Sequence, residues 1–451
     1  MISYIKFRAI LCWAFCLLLV PITAAAAESS TEAATKQNAP IPVTLRESIS
    51  LLAETHDRIK AAEAAFASSQ HMVKRANGLW YPRVDARVDA GHEDINKRDA
   101  TLSTSKYRNV QTLSASQLLY DFGGASGSVA QAEGASKEAS TKLEQVRQEI
   151  TIQGITAYLG VIRSREMLRY AIRSEENIKT LSGMQEALVE RGVGLSYEEL
   201  QIKAQLAGAQ AHRVNSERAL TNSRNAYRSV FGIDLTQGQI DALILPSLPQ
   251  KTMPQDLDSS ITKALDTNPF LVELQYTLES RRGDQASRES AMYPKLEAVA
   301  EAQRKENDQG EIGIRTEGRA GLQVTYNLFS GFRDVESVRA STSEITSVRK
   351  SILDRRRTVE EKVRNAWNDL MTLRKNIELY GNQANITWSF LELIKKKKAL
   401  GGEVNLLDIL VGERDYISAT SSKVTAEIDN ITAAYQLLYQ MGQISTDVVE
   451  N

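Results

Sequence analysis

The residue types that usually carry chemistry are scattered in this chain. His56, His71, His92 and His212 stand apart from one another. No His-x-x-x-His or comparable spacing joins them, so no metal centre is expected. Cys12 and Cys16 both fall near the start, which leaves the rest of the chain without disulfides or thiol chemistry. The run Gly123-Gly124-Ala125-Ser126-Gly127-Ser128 lacks the Gly-Lys-Ser/Thr of a phosphate loop. It reads as a corner where small residues permit close approach. Nowhere do a nucleophile, a base and metal ligands gather, so no catalytic residue, cofactor or enzymatic activity is expected.

The charged residues that stand out suit contacts rather than reactions. Lys395, Lys396, Lys397 and Lys398 precede Gly401 and Gly402. Such a run fits a solvated helix C-terminus, and it also fits an electrostatic contact with a partner. Asp408 follows the glycines and reads as a carboxylate in the first turn of a helix. Glu198, with Glu199 as an alternative, holds the similar place after Gly192-Val193-Gly194. These glycines permit sharp turns between helices. Glu413-Arg414-Asp415 reads as a surface or inter-helix charge cluster. Trp367 and Trp388 read as packing residues.

The elements that position these groups emerge from composition and periodicity. The chain has 451 residues, 42% hydrophobic and 25% charged, too apolar for a disordered protein. Its 55 basic and 56 acidic residues give no charge excess that would point to nucleic acid. No proline lies between Pro82 and Pro246 or after Pro294, which favours very long helices. Residues 1–27 read as a secretory signal: Lys6 and Arg8, an apolar run over 9–20, and Ala24 to Ala27 before Glu28. An uncleaved N-terminal anchor is the alternative. Cys16 lies too early for lipidation at the cleavage point. No later run is long and apolar enough for a transmembrane helix.

One pattern is written twice. Tyr81-Pro82 recurs as Tyr293-Pro294, Leu45 and Ile49 as Leu257 and Ile261, Phe122-Gly123-Gly124 as Phe329-Ser330-Gly331, and Gly192 with Leu200 as Gly402 with Leu410. The repeats span about 45–232 and 257–442. An N-terminal extension (28–44), a proline-marked connector (233–256) and a tail (443–451) flank them. In the second repeat Ile345, Ile352, Val359, Ala366, Leu373, Tyr380, Thr387 and Ile394 hold a seven-residue register. Val363, Leu370, Ile377, Ala384 and Leu391 follow four residues on, making a coiled-coil seam. Long helices are expected at about 126–191 and 334–399, each about 100 Å long. Shorter ones are expected at 45–79, 195–231, 257–291 and 404–440, with a break at Pro269. Two short helices end to end match one long helix, so each half supplies two columns of a helical wall.

Ahead of each long helix the period changes to two. Val84, Ala86, Val88 and Ala90 alternate with Asp85, Arg87 and Asp89, and Gly318, Ala320, Leu322 and Val324 oppose Arg319, Gln323 and Thr325. Strands are expected at about 82–92, 107–119, 294–304 and 314–326, with polar external loops over 91–106 and 304–311. Trp80, Tyr81, Tyr120, Tyr293, Tyr326 and Phe329 gather at the other strand ends, suiting an interfacial girdle. A small soluble sheet is the alternative reading. If these strands lie in a membrane, four cannot close a barrel, so several chains must contribute. The fold class is thus α+β, with a membrane barrel built from four strands per chain and continuous with a wall of long coiled helices.

The order of these features resembles the TolC family of outer-membrane ducts. It is carried by the duplication, Asn268-Pro269-Phe270-Leu271, the two Tyr-Pro strand starts, Leu328-Phe329-Ser330-Gly331, and above all Gly402-Glu403-Val404-Asn405-Leu406-Leu407-Asp408-Ile409-Leu410. The resemblance implies a homotrimer with 12 strands and a 12-helix tunnel in the outer membrane of a Gram-negative bacterium. It also implies a periplasmic adaptor and an inner-membrane ABC transporter or other pump. It places adaptor contact at the tip turns of Gly192, Val193, Gly194, Gly401 and Gly402, and aperture acids at Asp408 and Glu198. The family's second aperture acid and its preceding basic residue are Val411 and Val404 here. Leu406 to Arg414 and Arg364-Asn365-Ala366-Trp367 look closest to the type I secretion branch, including exporters of large adhesins. The expected function is therefore passive conduction of exported protein. A multidrug efflux duct is the alternative, and a periplasmic coiled-coil scaffold a remote one.

Overall fold

The computed structural model describes residues 44–98, 103–402 and 404–449. The signal expected at residues 1–27 and the extension, apart from Thr44, lie outside them. The first repeat holds α1 (Leu45–Thr55), α2 (Asp57–Asn77), β1 (Arg83–Ile95), β2 (Thr104–Tyr120), α3 (Gly124–Glu190) and α4 (Ser196–Phe231). A short α5 (Gln237–Ala242) follows in the connector. The second repeat holds α6 (Leu257–Thr267), α7 (Pro269–Ser290), β3 (Lys295–Glu306), β4 (Ile314–Thr325), α8 (Arg333–Ala399) and α9 (Leu406–Gln440). Thr446–Val448 forms a single 3-10 turn in the tail.

Both long helices have 67 residues, about 100 Å each. Of the two apolar rows in α8, the one four residues on is the more deeply set: Val363, Leu370, Ala384 and Leu391 are buried. The short columns are broken at equivalent places, 212 positions apart. Asn268, buried and extended, accepts from the Phe270 N–H (3.0 Å) and donates to the Gln440 carbonyl (2.8 Å). His56 does the same capping work without a proline, its Nδ1 accepting from the Arg58 N–H at 3.1 Å. The sequence signals a break only at Pro269; the first short column, expected as one helix, also divides. A side-chain acceptor for an orphan helix N–H is enough to restart a helix.

Most of α3 from Gln148 to Ile162, where the short columns meet it, is buried. Leu45, Ile49 and Leu52 of α1 are buried. The connector is pinned from outside: Tyr158 donates to the Ile244 carbonyl (2.8 Å), and Arg165 to the carbonyls of Ile240, Asp241 and Leu243 (2.8 to 3.1 Å). A matching cluster in the second repeat joins Ile261, Ala264, Leu271, Val359, Val363, Leu370, Ala434, Leu437 and Met441. On the barrel side α3 and α7 approach backbone to backbone. A Cβ on Gly127 would sit 2.5 Å from the Ser287 nitrogen and 2.8 Å from the Gly283 oxygen.

The four strands form one antiparallel sheet in the order β1-β2-β3-β4. Val84 faces Ala115, Leu113 faces Ala302, and Ala298 faces Leu322. Val84, Val88, Leu322 and Val324 are each more than 60% exposed, so nothing among the described residues covers the apolar face. The ladder also runs past the apolar band. Residues 91–95 and 104–106, expected in a loop, are paired, as are Lys305 and Glu306 of β3. Backbone pairing continues where side chains turn polar, so the band marks lipid contact rather than strand length.

Gly127→Val is expected to overpack the α3–α7 crossing and destabilise the protein by about 1–3 kcal/mol. The check is the thermal unfolding midpoint of the detergent-extracted protein, with Gly238→Val, where a Cβ meets nothing within 4 Å, as the control.

Candidate functional site

At the far end from the sheet, two helical hairpins turn. Gly192 and Gly401 adopt φ of 73° and 80°, a left-handed backbone that glycine takes without a Cβ clash. The N–H groups of Val193 and Gly194 both donate to the Leu188 carbonyl (3.0 and 2.9 Å), and that of Gly402 to Lys397 (3.0 Å), closing each helix end. Val193, Leu195, Tyr197, Leu200 and Leu400 are exposed here.

Two carboxylates tie the hairpins together. Glu198 of α4 accepts from Gln185 of α3 and from Asn405, which caps α9, both at 3.0 Å. The same Asn405 accepts from the Leu407 N–H at 2.9 Å, so a single side chain starts α9 and grips the other hairpin. Deeper in, Glu413 of α9 is buried. It accepts from Asn177 of α3 at 2.9 Å and pairs with the Lys395 ammonium of α8. Between these ties lies an apolar cluster from all four helices: Ile178, Leu181, Ile202, Leu391, Leu406, Ile409 and Leu410.

The residues singled out in sequence therefore separate. Glu198 is a tie. Asp408 is exposed in the first turn of α9, with no side-chain hydrogen bond or ion pair among the described residues. Lys395 is bound to Glu413, whereas Lys396 and Lys397 project outward; burial lowers the Lys398 pKa. The hydrogen bonds that the Lys203 ammonium donates to Glu199 and Glu186 hold its pKa above the usual lysine range. Glu413-Arg414-Asp415 divides into one inter-helix carboxylate and an exposed pair at 3.0 Å. Trp367 packs on the second-repeat cluster, and Trp388 lies against Tyr416. The sequence did not flag Asn177 or Gln185, and Asn405 entered only as part of the tip segment, without a role of its own. The usable signal was Glu413 itself, a charge in phase with Leu406, Ile409 and Leu410.

The lateral edges form a second feature. On the barrel side the columns run α2–α3–α7–α8; on the tip side they run α4–α3–α9–α8. One side of the chain thus ends in β4 and α8, the other in β1, α2 and α4. Along α8, Leu379, Ile386, Phe390 and Leu393 are exposed. Along α4, the exposed apolar residues are mostly small: Leu200, Ala204, Ala207, Ala211 and Val214. Both stripes keep coiled-coil spacing, large on one edge and small on the other. Trp80, Tyr81, Tyr120, Tyr293, Tyr326 and Phe329 are all exposed at the helix-side ends of the strands.

Residues 48–232 and 260–443 match the family described as outer membrane efflux protein. The chain belongs to that family. It is 23% identical over 348 residues to the outer membrane efflux protein BepC of Brucella suis biovar 1 (strain 1330), covering 76% of this chain and 74% of BepC. Among solved structures, the outer-membrane channel OprN matches with a TM-score of 0.78 at 16% identity, over 89% of this chain and 90% of that one. The outer membrane protein VceC of Vibrio cholerae matches with 0.76 at 14% identity, over 88% and 96%. The fold is that of these outer-membrane channels. As an outer membrane efflux protein, the chain works in the outer membrane as a conduit and not as an enzyme.

Glu413→Ala is expected to cost about 1–3 kcal/mol, because a buried tie between three helices is lost. Lys395→Ala is expected to cost less, since its side chain is half-exposed. Thermal unfolding of the helical signal, with limited proteolysis near the tips, checks the ranking; equal losses would contradict it.

Proposed function

We propose that three copies of this chain close into one duct. A periplasmic adaptor joins the duct to an inner-membrane transporter, and the duct passively conducts exported protein to the exterior. The observation that carries this reading is that the chain is incomplete on the same two sides at every height. The outer edges of β1 and β4 have no strand partner among the described residues, and the α4 and α8 stripes have no cover. The number three comes from the resemblance noted in the sequence. Three sheets of four strands reach a closable size, as four strands alone do not. In such a ring the large residues of α8 enter the small-residue stripe of the next copy's α4.

The tips are the working end. Asn405–Glu198 and Lys395–Glu413–Asn177 hold the two hairpins of one chain together, and opening is a two-state equilibrium that partner binding biases. Exposed Asp408 repeats around the three-fold axis, where a ring of carboxylates concentrates negative potential. The outward Lys396 and Lys397, with the turns at Gly192 and Gly401, form the surface offered to the adaptor. The residues from Leu406 to Arg414 favour protein secretion through an ABC transporter. The alternative is the outer-membrane duct of a multidrug efflux pump, which the word efflux in the name of the relative BepC supports.

Detergent-extracted protein is expected to have the mass of three chains by light scattering, and Ile386→Glu to shift it toward one; a stable wild-type monomer would reject the ring. Asp408→Ala is expected to change single-channel conductance or its block by multivalent cations, and an unchanged channel would remove Asp408 from the aperture. Deleting the gene separates the two cargoes: loss of a secreted protein from the medium supports secretion, and drug sensitivity alone supports efflux.

A further inference from the structure

The strongest unexplained feature lies at the opposite end of the molecule, in the turn from β3 to β4, residues 307–313. Such a turn would ordinarily project outward. Here it carries a carboxylate inward: Asp308 is only 5% exposed, whereas Gln309, Glu311, Ile312 and Gly313 around it are exposed. The Asp308 carboxylate meets Arg108 of β2, with Nε to Oδ1 at 2.5 Å. Arg108 also reaches Asp89 of β1 at 2.6 Å and Glu93 at 3.6 Å. Asp89 alternates with Val84, Ala86 and Val88 and so shares the polar face with Asp85 and Arg87. In a closed barrel that face is the lumen.

The backbone is forced into this position. Asn307 and Gln309, on either side of Asp308, both have left-handed φ, 52° and 55°. Neither is glycine, and such conformations persist only where the surroundings hold them. The holding contacts are present: the Asn307 N–H donates to the Gly313 carbonyl, Asn307 Oδ1 accepts from the Gly313 N–H, and Asn307 Nδ2 donates to the Tyr107 carbonyl, each at 3.0 Å. Of the other cations nearby, the Lys97 side chain lies against Gly310 of the turn, while the rest are engaged elsewhere. Lys305 pairs with Glu317, and Arg315 with Glu317 and Glu311.

We propose that the Asp308–Arg108 contact is a clasp that draws the β3–β4 turn across the outer mouth of the barrel, making this turn the determinant of how large a solute passes there. The inference rests on the duct reading above. Three copies set three turns around one mouth, and pore diameter governs what such a channel admits. The arrangement also supplies a clean variant. Arg108 keeps Asp89 and Glu93 when Asp308 loses its charge, so Asp308→Asn releases the turn without leaving a cation unpaired.

The test uses the full-length assembly in planar bilayers, and cells exposed to a glycopeptide antibiotic too large for ordinary porins. Asp308→Asn is expected to raise single-channel conductance roughly two-fold and to sensitise cells. Asp308→Glu, which keeps the charge, is expected to stay near wild type. A variant lacking residues 309–312 is expected to reproduce the wide channel, and it decides the matter if Asp308→Asn does not assemble. Wild-type conductance in both the Asn and the deletion variants would overturn the clasp while leaving the duct intact. A wild-type protein that forms no channel would overturn the duct reading and the clasp with it.

Discussion

Within hydrocarbon, every backbone N–H and C=O without a partner costs several kcal/mol, and β1 and β4 each present a row of them. This constraint orders the rest of the molecule. It requires another sheet on either side, and the same requirement then appears below the membrane. The columns that continue from those strands end in uncovered stripes, Leu379 to Leu393 on α8 and Leu200 to Val214 on α4. A conventional domain buries its apolar surface against itself. This one leaves the α4 and α8 stripes exposed, as the proposed ring of copies requires.

The same economy explains where polar groups are buried. Glu413 and Glu198 do not serve chemistry; they join hairpins that the apolar cluster alone would allow to slide. An apolar seam with a seven-residue repeat is satisfied by several registers, whereas a carboxylate that must meet Asn177 or Asn405 is satisfied by one. Such ties are also breakable. Lys395 is half-exposed, so water can solvate it when the helices part. A tip held by hydrogen bonds at its rim and by apolar contact beneath is suited to two positions.

Much of this was legible in the amino-acid order because the duplication multiplies every weak signal. Tyr81-Pro82 alone says little; with Tyr293-Pro294 at a fixed offset it dates a whole fold unit. The alternation from Val84 to Ala90 identified the lipid face, and Ile345 to Ile394 identified a column. Three things were not legible. His56 breaks a helix by capping rather than by geometry, and histidine is not a residue that announces a break. Helix α5 is six residues long, too short for any period to reveal; Gln239 Oε1 accepts from the Thr236 N–H at 2.8 Å at its start, and Arg165 of α3 holds its carbonyl end. The contacts at Asp308 and Glu413 join residues 200 and 236 positions apart, and no local pattern encodes such distances.

The paired breaks at His56 and Asn268 have a mechanical consequence. They fall at one height in the wall, in α1–α2 and α6–α7, while α3 and α8 pass that height without interruption. Axial load between the membrane and the far end is therefore carried by two continuous struts per chain. The interrupted columns beside them act as joints, letting the lower part of the tube twist or splay while the barrel in the bilayer keeps its circumference.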